Sequence, residues 1–309
     1  MDAGALEDSY IQLFKNKDPR ATRILQYIMP LLKSGLLTED DVASYLENVT
    51  PAKYVETILP PDCMAFIFEH YFTAEKAAHL LDNYFSNDYI KGIFSSGVLS
   101  ETKGNNILNA MTNSAKKLIA IGTFEYSFGT WNFDNYDTST VGGGWEQVSD
   151  YVYSGYHSGR LYGGSHNEDA DRQYEAKVYV TGKGLASRKL RVKTYVVDLY
   201  SADYGSGYGL YAKFGDYAIY WEIEYHRNSR TPAVAGNVTK RNTTVTDLGG
   251  GWKQGETDVS IADAFNAASY PVPTEDDTIE VGIVIYAWDG SSSCNKGSVD
   301  IRVDDFEVV

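Results

Sequence analysis

The spacing of apolar residues changes near Gly122, and this change constrains the fold of the 309-residue chain more than any other feature. Before that point apolar side chains recur at three- and four-residue steps, as in Ile24, Leu25, Tyr27, Ile28, Leu31 and Leu32, and again in Val42, Tyr45 and Leu46. That is the signature of helices with one buried stripe. After it, Tyr217, Ile219, Trp221, Ile223 and Tyr225 alternate with positions that include Glu222 and Glu224. Alternation of this kind describes a strand with one face turned inward. The same period runs through Tyr174, Ala176, Val178 and Val180; Leu190, Val192, Thr194 and Val196; Ile279, Val281, Ile283 and Ile285; and Val299, Ile301 and Val303. The chain therefore reads as multidomain α + β: a small helical domain over residues 1–121, then an antiparallel β-sandwich over 122–309. Residue usage divides at the same place, because 23 of the 28 glycines and 18 of the 25 tyrosines fall after residue 121.

Helix starts are marked in the first part by Thr38 with Asp41 three residues on, and by Ser or Thr at 50, 73, 86, 100 and 112. Gly35, Gly97 and the Pro60-Pro61 pair mark stops. The apolar pairs Ile24-Leu25, Ile58-Leu59, Leu80-Leu81 and Ile107-Leu108 form a loose internal repeat, which suggests short helical hairpins packed side by side. His70 and His79 lack the spacing that places two metal ligands on one helical face, so they read as structural. With no chemical site in it, this domain is expected to dock or to self-assemble.

The net charge of −15 is carried mainly by the second part, which holds −11 of it. An acidic surface repels phosphate backbones, and no basic cluster interrupts it, so nucleic acid is excluded as a partner. Cys63 and Cys294 lie one in each domain, which argues against a disulfide framework or a thiolate zinc site. The start MDAGALEDSYIQLF has neither a basic opening nor an apolar core, and no run is long enough to span a membrane. No signal peptide is therefore expected.

The last strand contains an irregularity. Val299, Ile301 and Val303 share one parity while Phe306 and Val308 have the other, so Asp304-Asp305 is expected to form a bulge. This closing run, VDIRVDDFEVV, resembles the final strand of jelly-roll carbohydrate-binding modules of the galactose-binding-like superfamily. Those domains open with a Phe-Glu pair and a nearby Trp, matched here by Phe124-Glu125 and Trp131. They continue with a Ser-Gly-x-x-Ser turn, matched by Ser154 to Ser158, and close on an Asp pair, matched by Asp304-Asp305. The resemblance covers residues 122–309 only. It implies a structural calcium with carboxylates from Glu125 and Asp304 and backbone carbonyls near Ser158. Two glycine-tryptophan turns, Gly142 to Trp145 and Gly249 to Trp252, are read as caps of the core.

Sugars offer flat C–H faces and many hydroxyls, so their partners are aromatic rings set beside carboxylates. On the outward parity of the strands the candidates are Tyr179, Tyr195, Tyr220, Glu222, Glu224, Tyr286 and Trp288. Singly each is an ordinary second-face residue; together they would line one concave sheet. No GxSxG or Walker lysine loop occurs, and the acidic trio Glu168, Asp169 and Asp171 sits in a loop-like stretch without an identifiable carboxylate partner. The expectation is a non-enzymatic binding or adhesion protein, extracellular, cell-surface or virion-associated, whose partner is a glycan or glycosylated surface. The alternatives are a structural or surface protein of a virus particle or appendage, and a glycoside hydrolase or polysaccharide lyase on a jelly-roll scaffold.

Overall fold

The computed structural model describes residues 28–126, 130–137, 142–167, 172–201, 205–226, 237–289 and 295–309. The chain divides into two compact units, Met1–Ala120 and Ile121–Val309. Ile24, Leu25 and Tyr27, the acidic trio at 168–171, and Cys294 lie outside the described residues. No described helix is long and apolar enough to cross a membrane.

The first unit contains α1 (Ile28–Lys33), α2 (Glu39–Val49), α3 (Ala52–Ile58), α4 (Pro61–Tyr71), α5 (Ala74–Asn83), α6 (Asn87–Ser95), α7 (Glu101–Ala110) and α8 (Ser114–Ile121). Thr38, Thr73, Ser86 and Ser100 cap their helices as expected, Thr38 through a full capping box with Asp41. Thr50 instead ends α2, and Asn113 rather than Thr112 accepts from the first turn of α8.

Carboxylates tie these caps to helices about thirty residues earlier. Glu39 accepts from Thr73 N, Glu56 from Ser86 N, Glu69 from Ser100 N and Asp82 from Thr112 N, at 2.5, 2.7, 2.9 and 2.7 Å. Lys103 and Lys116 reach back to the carbonyls of Phe72 and Phe85 in the same way. Each tie joins a helix end to the helix three places before it. Among the described helices the main contacts are likewise between neighbours two and three places along the chain, against which each short helix buries its stripe.

The second unit contains β1 (Asn132–Asp137), β2 (Gly144–Val148), β3 (Ser158–Asn167), β4 (Arg172–Gly182), β5 (Leu190–Ser201), β6 (Gly205–Phe214), β7 (Tyr217–His226), β8 (Asn237–Gly249), β9 (Trp252–Thr257), α9 (Ile261–Ala267), β10 (Ile279–Asp289) and β11 (Asn295–Val308). They form a jelly-roll sandwich in the order β1-β4-β10-β6-β7-β8-β9-β5-β11-β3-β2. Strand β8 belongs to both layers: its first half pairs with β7 and its second half with β9. The β7/β8 pair is parallel, whereas the other described pairs are antiparallel.

Val178, Val281, Ile283, Ile285, Leu210, Ile219 and Trp221 from one layer, and Leu161, Val192, Val299, Ile301, Val303 and Phe306 from the other, are fully buried. Burial of a side chain of this size contributes about 1.5–3 kcal/mol. The expected bulge is present: the β5/β11 register shifts between Asp304 and Glu307, and Asp305 adopts φ 47°. It lets Val303 and Phe306 enter the same core despite their opposite parity.

Candidate functional site

The outward face of the β4-β10-β6-β7-β8 layer is built on glycines. Gly207 and Gly209 of β6 lie beneath Tyr286 and Tyr220, and a Cβ at Gly209 would stand 2.8 Å from Tyr220 Cε2. With no side chain in the way, the two rings spread across the sheet and meet edge-on at 6.0 Å. Tyr211 and Val284 complete this layer, and Tyr179, Val238 and Trp288 pack against it.

Polar groups run between the rings. Tyr286 Oη donates to Glu222 Oε2 at 2.7 Å, and Lys240 holds Glu222 Oε1 at 2.8 Å. Lys177 pairs with Glu280 at 2.7 Å and lies 4.4 Å above the Tyr179 ring. Burial, and then the bond to Asp134, pushes the Tyr179 phenol up to about 12. Burial also drives Tyr220 well above its ordinary value. The hydroxyl of Tyr211 is buried and has no hydrogen-bond partner. A group left in that state costs about 1–3 kcal/mol.

Of the residues read from sequence, Tyr179, Tyr220, Glu222, Tyr286 and Trp288 share this face. Tyr220 and Tyr286 are not open platforms, however, being 1% and 0% exposed, because neighbouring side chains pack over them. Tyr195 lies on β5 in the other layer, stacked 4.3 Å from Tyr151.

Glu224 is displaced by a bulge in β7, where Gly209 faces Glu222 but Tyr208 faces Glu224. The extra residue turns Glu224 toward the inter-sheet side, where it accepts from Tyr208 Oη at 3.1 Å and pairs with Lys253 at 2.7 Å. By the same shift Tyr225, read as inward, comes out opposite Gly207 and is 57% exposed. Tyr211, Lys177, Lys240 and Tyr225 were missed. The Gly-Ser-Gly-Tyr-Gly run at 205–209 was the available signal, since alternate glycines on a strand leave room for rings on its neighbours.

Glu125, Ser158 and Asp304 converge on the loop at 149–157. Asp304 Oδ2 accepts from Tyr153 N and Ser154 N, both at 2.9 Å, and Oδ1 accepts from Asp305 N at 2.8 Å. Glu125 accepts from Tyr156 N and His157 N at 2.5 and 3.0 Å and meets His157 Nδ1 at 2.9 Å. Ser158 Oγ donates to the Tyr151 carbonyl at 3.2 Å. Gly155, at φ 74°, is required here because a Cβ would collide with the Glu125 carboxylate.

Among the described residues no group of three His, Cys, Asp or Glu side chains gathers as a metal cluster. The donors still suit a hard cation, because each carboxylate retains a lone pair that its N–H partners do not use. Burial, and then the neighbouring Asp305, pushes Asp304 up to about 8, a penalty that an adjacent cation removes.

No protein-family model matches the chain, and no curated protein matches it. Among solved structures it is similar to one described as a carbohydrate-binding module of the β-sandwich superfamily, at 10% identity and a TM-score of 0.34, covering 59% of this chain and 58% of that one. The chain thus spans less than two thirds of that structure's length. It is also similar to TmCBM61 in complex with β-1,4-galactotriose, at 13% identity and TM-score 0.32, covering 62% of this chain and 97% of that one. A third likeness is to the xyloglucanase domain of NopAA from Sinorhizobium fredii in complex with cellobiose, at 15% identity and TM-score 0.28, covering 58% and 92%.

Proposed function

We propose that the C-terminal unit is a non-catalytic glycan-binding module whose contact surface is the outward face of the β4-β10-β6-β7-β8 layer. The supporting observation is a sheet face, turned away from the inter-sheet core, on which aromatic rings alternate with fixed polar groups. Tyr179 and Trp288 are partly accessible at its margin and Tyr225 is open. Tyr211, Tyr220 and Tyr286 form the layer beneath. Glu222, held by Tyr286 and Lys240, is oriented for hydrogen bonding.

The test is retention of the full chain on an array of neutral glycans. Trp288→Ala is expected to weaken retention about tenfold, equivalent to about 1.4 kcal/mol, at a temperature where circular dichroism shows the variant still folded. Absence of retention on every glycan, or release of reducing ends from any of them, refutes the reading.

The same proposal places calcium beside Glu125 and Asp304, where its charge would fix the 149–157 loop against β11. At a hundredfold excess over its dissociation constant, a ligand of the folded state stabilises by about 2.7 kcal/mol. For a unit of this size that corresponds to roughly 5–10 °C in midpoint. Calcium is expected to raise the transition by that amount over EDTA, and Asp304→Asn to abolish the difference. Superimposable melts of the wild type in calcium and in EDTA would remove the cation from the account.

A further inference from the structure

The loop at 149–157 presents a second aromatic surface, on the outward side of the opposite layer. Tyr151 lies nearly parallel to Tyr195 of β5, with ring centroids 4.3 Å apart at 23°. Tyr153 meets Trp252 of β9 edge-on at 5.5 Å, and Trp252 lies 5.7 Å from Tyr195. Tyr151 remains 48% exposed although one of its faces is covered, and Tyr153 and Tyr156 are exposed beside it.

Three open tyrosines within six residues would ordinarily sit on a mobile loop, but this loop is fixed at almost every step. Asp150 holds Arg302 at 2.7 Å, Asp304 takes the N–H groups of Tyr153 and Ser154, and Ser154 Oγ donates to Asp305 at 2.8 Å. Glu125 takes the next two N–H groups after Gly155.

The backbone is also strained in the same place. Among the described residues four non-glycines have positive φ. Three of them belong to this loop or its supports: Tyr151 at 48°, Asp305 at 47°, and Phe124, which precedes Glu125, at 57°. Strained conformations persist where surrounding contacts over-determine them, and they concentrate at ligand-holding sites. Rings ordered before a ligand arrives lose little conformational freedom on binding it.

The charges around the rings identify the ligand class. Asp150 is paired with Arg302 and Asp305 with Lys193 at 2.6 Å, while Lys193 already lies 3.6 Å above the Tyr153 ring. With these exposed charges cancelled in pairs, and with the Glu125 and Asp304 carboxylates buried behind the loop backbone, the ring-bearing surface offers ring faces and phenol hydroxyls rather than an exposed charge. A neutral pyranose, with an apolar C–H face and hydroxyls around its edge, is the chemistry that matches.

We infer that Tyr151 and Tyr153, supported by Tyr195 and Trp252, form a second site for a neutral saccharide, separate from the Tyr179–Trp288–Tyr225 face. Tyrosine nitration with peptide mass mapping tests this on the wild-type full chain, using cellohexaose, mannohexaose and β-1,4-galactohexaose as probes. At least one hexasaccharide is expected to slow nitration of Tyr151 and Tyr153 about fivefold or more. Tyr151→Ala should weaken that saccharide about tenfold, and Tyr151→Phe, which keeps the ring face, should bind nearly as well as wild type. Protection of Tyr225 without Tyr151 and Tyr153 overturns this site and leaves the first-face reading standing. Protection of Tyr151 and Tyr153 without Tyr225 does the reverse. No protection by any of the three probes overturns this site.

Discussion

Replacing Trp221 with alanine is expected to lower the stability of the C-terminal unit by about 3–5 kcal/mol, the range for truncating a large buried aromatic residue. Trp221 is fully buried on the inner face of β7, opposite Leu210 of β6. Its indole Nε1 donates to Asp258 Oδ1 at 2.9 Å, and Arg241 reaches the same carboxylate at 3.2 Å. Truncation therefore opens a cavity and removes a donor from an engaged carboxylate.

Trp221→Phe separates these effects, since it keeps most of the volume and loses only the hydrogen bond, for about 1 kcal/mol. It also changes the pH dependence. Burial raises Asp258, but the bonds from Arg241 and Trp221 outweigh it and leave the group below its usual 3.8. A depressed carboxylate contributes stability that is fully present above the unfolded value and lost as pH falls through the folded one. In the Phe variant this contribution should be smaller, and its loss, which begins at the same unfolded value, should be complete at a higher pH than in the wild type. Urea unfolding followed in the β-sheet region of the far-ultraviolet dichroism measures both variants. A Trp221→Ala midpoint equal to wild type would mean that the indole does not fill the core of this sandwich.

The alternation in β7 shows how far sequence reaches into this fold. Four of the five inward residues read there, from Tyr217 to Ile223, keep the expected side of the strand, and the fifth does not. The bulge beside Ile223 is silent in the pattern because it adds a residue without placing an apolar group out of turn. Tyr225 and Glu224 thereby exchange faces. At the other end of the unit the bulge at Asp304-Asp305 was legible, because there Phe306 and Val308 visibly reverse parity.

Caps in the helical unit were legible for a related reason. Thr73, Ser86 and Ser100 act within their own first turn. The stacking of those helices depends on Glu56, Glu69 and Asp82 reaching caps some thirty residues away, and no local pattern encodes that distance. Strand β8 was not read at all: its residues are mostly exposed, and its place is set by pairing along both edges. For the candidate face, strand parity puts Tyr179, Glu222 and Trp288 on one side of the sheet, as in the structure. The covering of Tyr220 and Tyr286 followed from register with Gly209 and Gly207 on another strand.

Register makes one glycine on this face decisive. Gly282 of β10 pairs with Tyr179 of β4 on one side and Tyr211 of β6 on the other. A Cβ at Gly282 would collide with the Val178 carbonyl and stand 2.8 Å from Tyr179 Cα. Both obstacles are backbone, so no change of rotamer relieves them, and the strands must separate where they are hydrogen-bonded. Overpacking of a close-packed interior costs about 1–3 kcal/mol where side chains can adjust, and more where they cannot. Gly282→Ala is accordingly expected to destabilise the C-terminal unit by about 3 kcal/mol or more and to displace Tyr179 from Lys177. Gly142→Ala is the matched control, because nothing lies within 4 Å of the Cβ it would add. That substitution should stay within about 0.5 kcal/mol of wild type. The two variants contain the same residue change, so their difference in urea midpoint isolates the collision from the general effect of removing a glycine. If Gly282→Ala unfolded together with Gly142→Ala, β4 and β10 would not be joined in this register, and the aromatic face built across them would have to be redrawn.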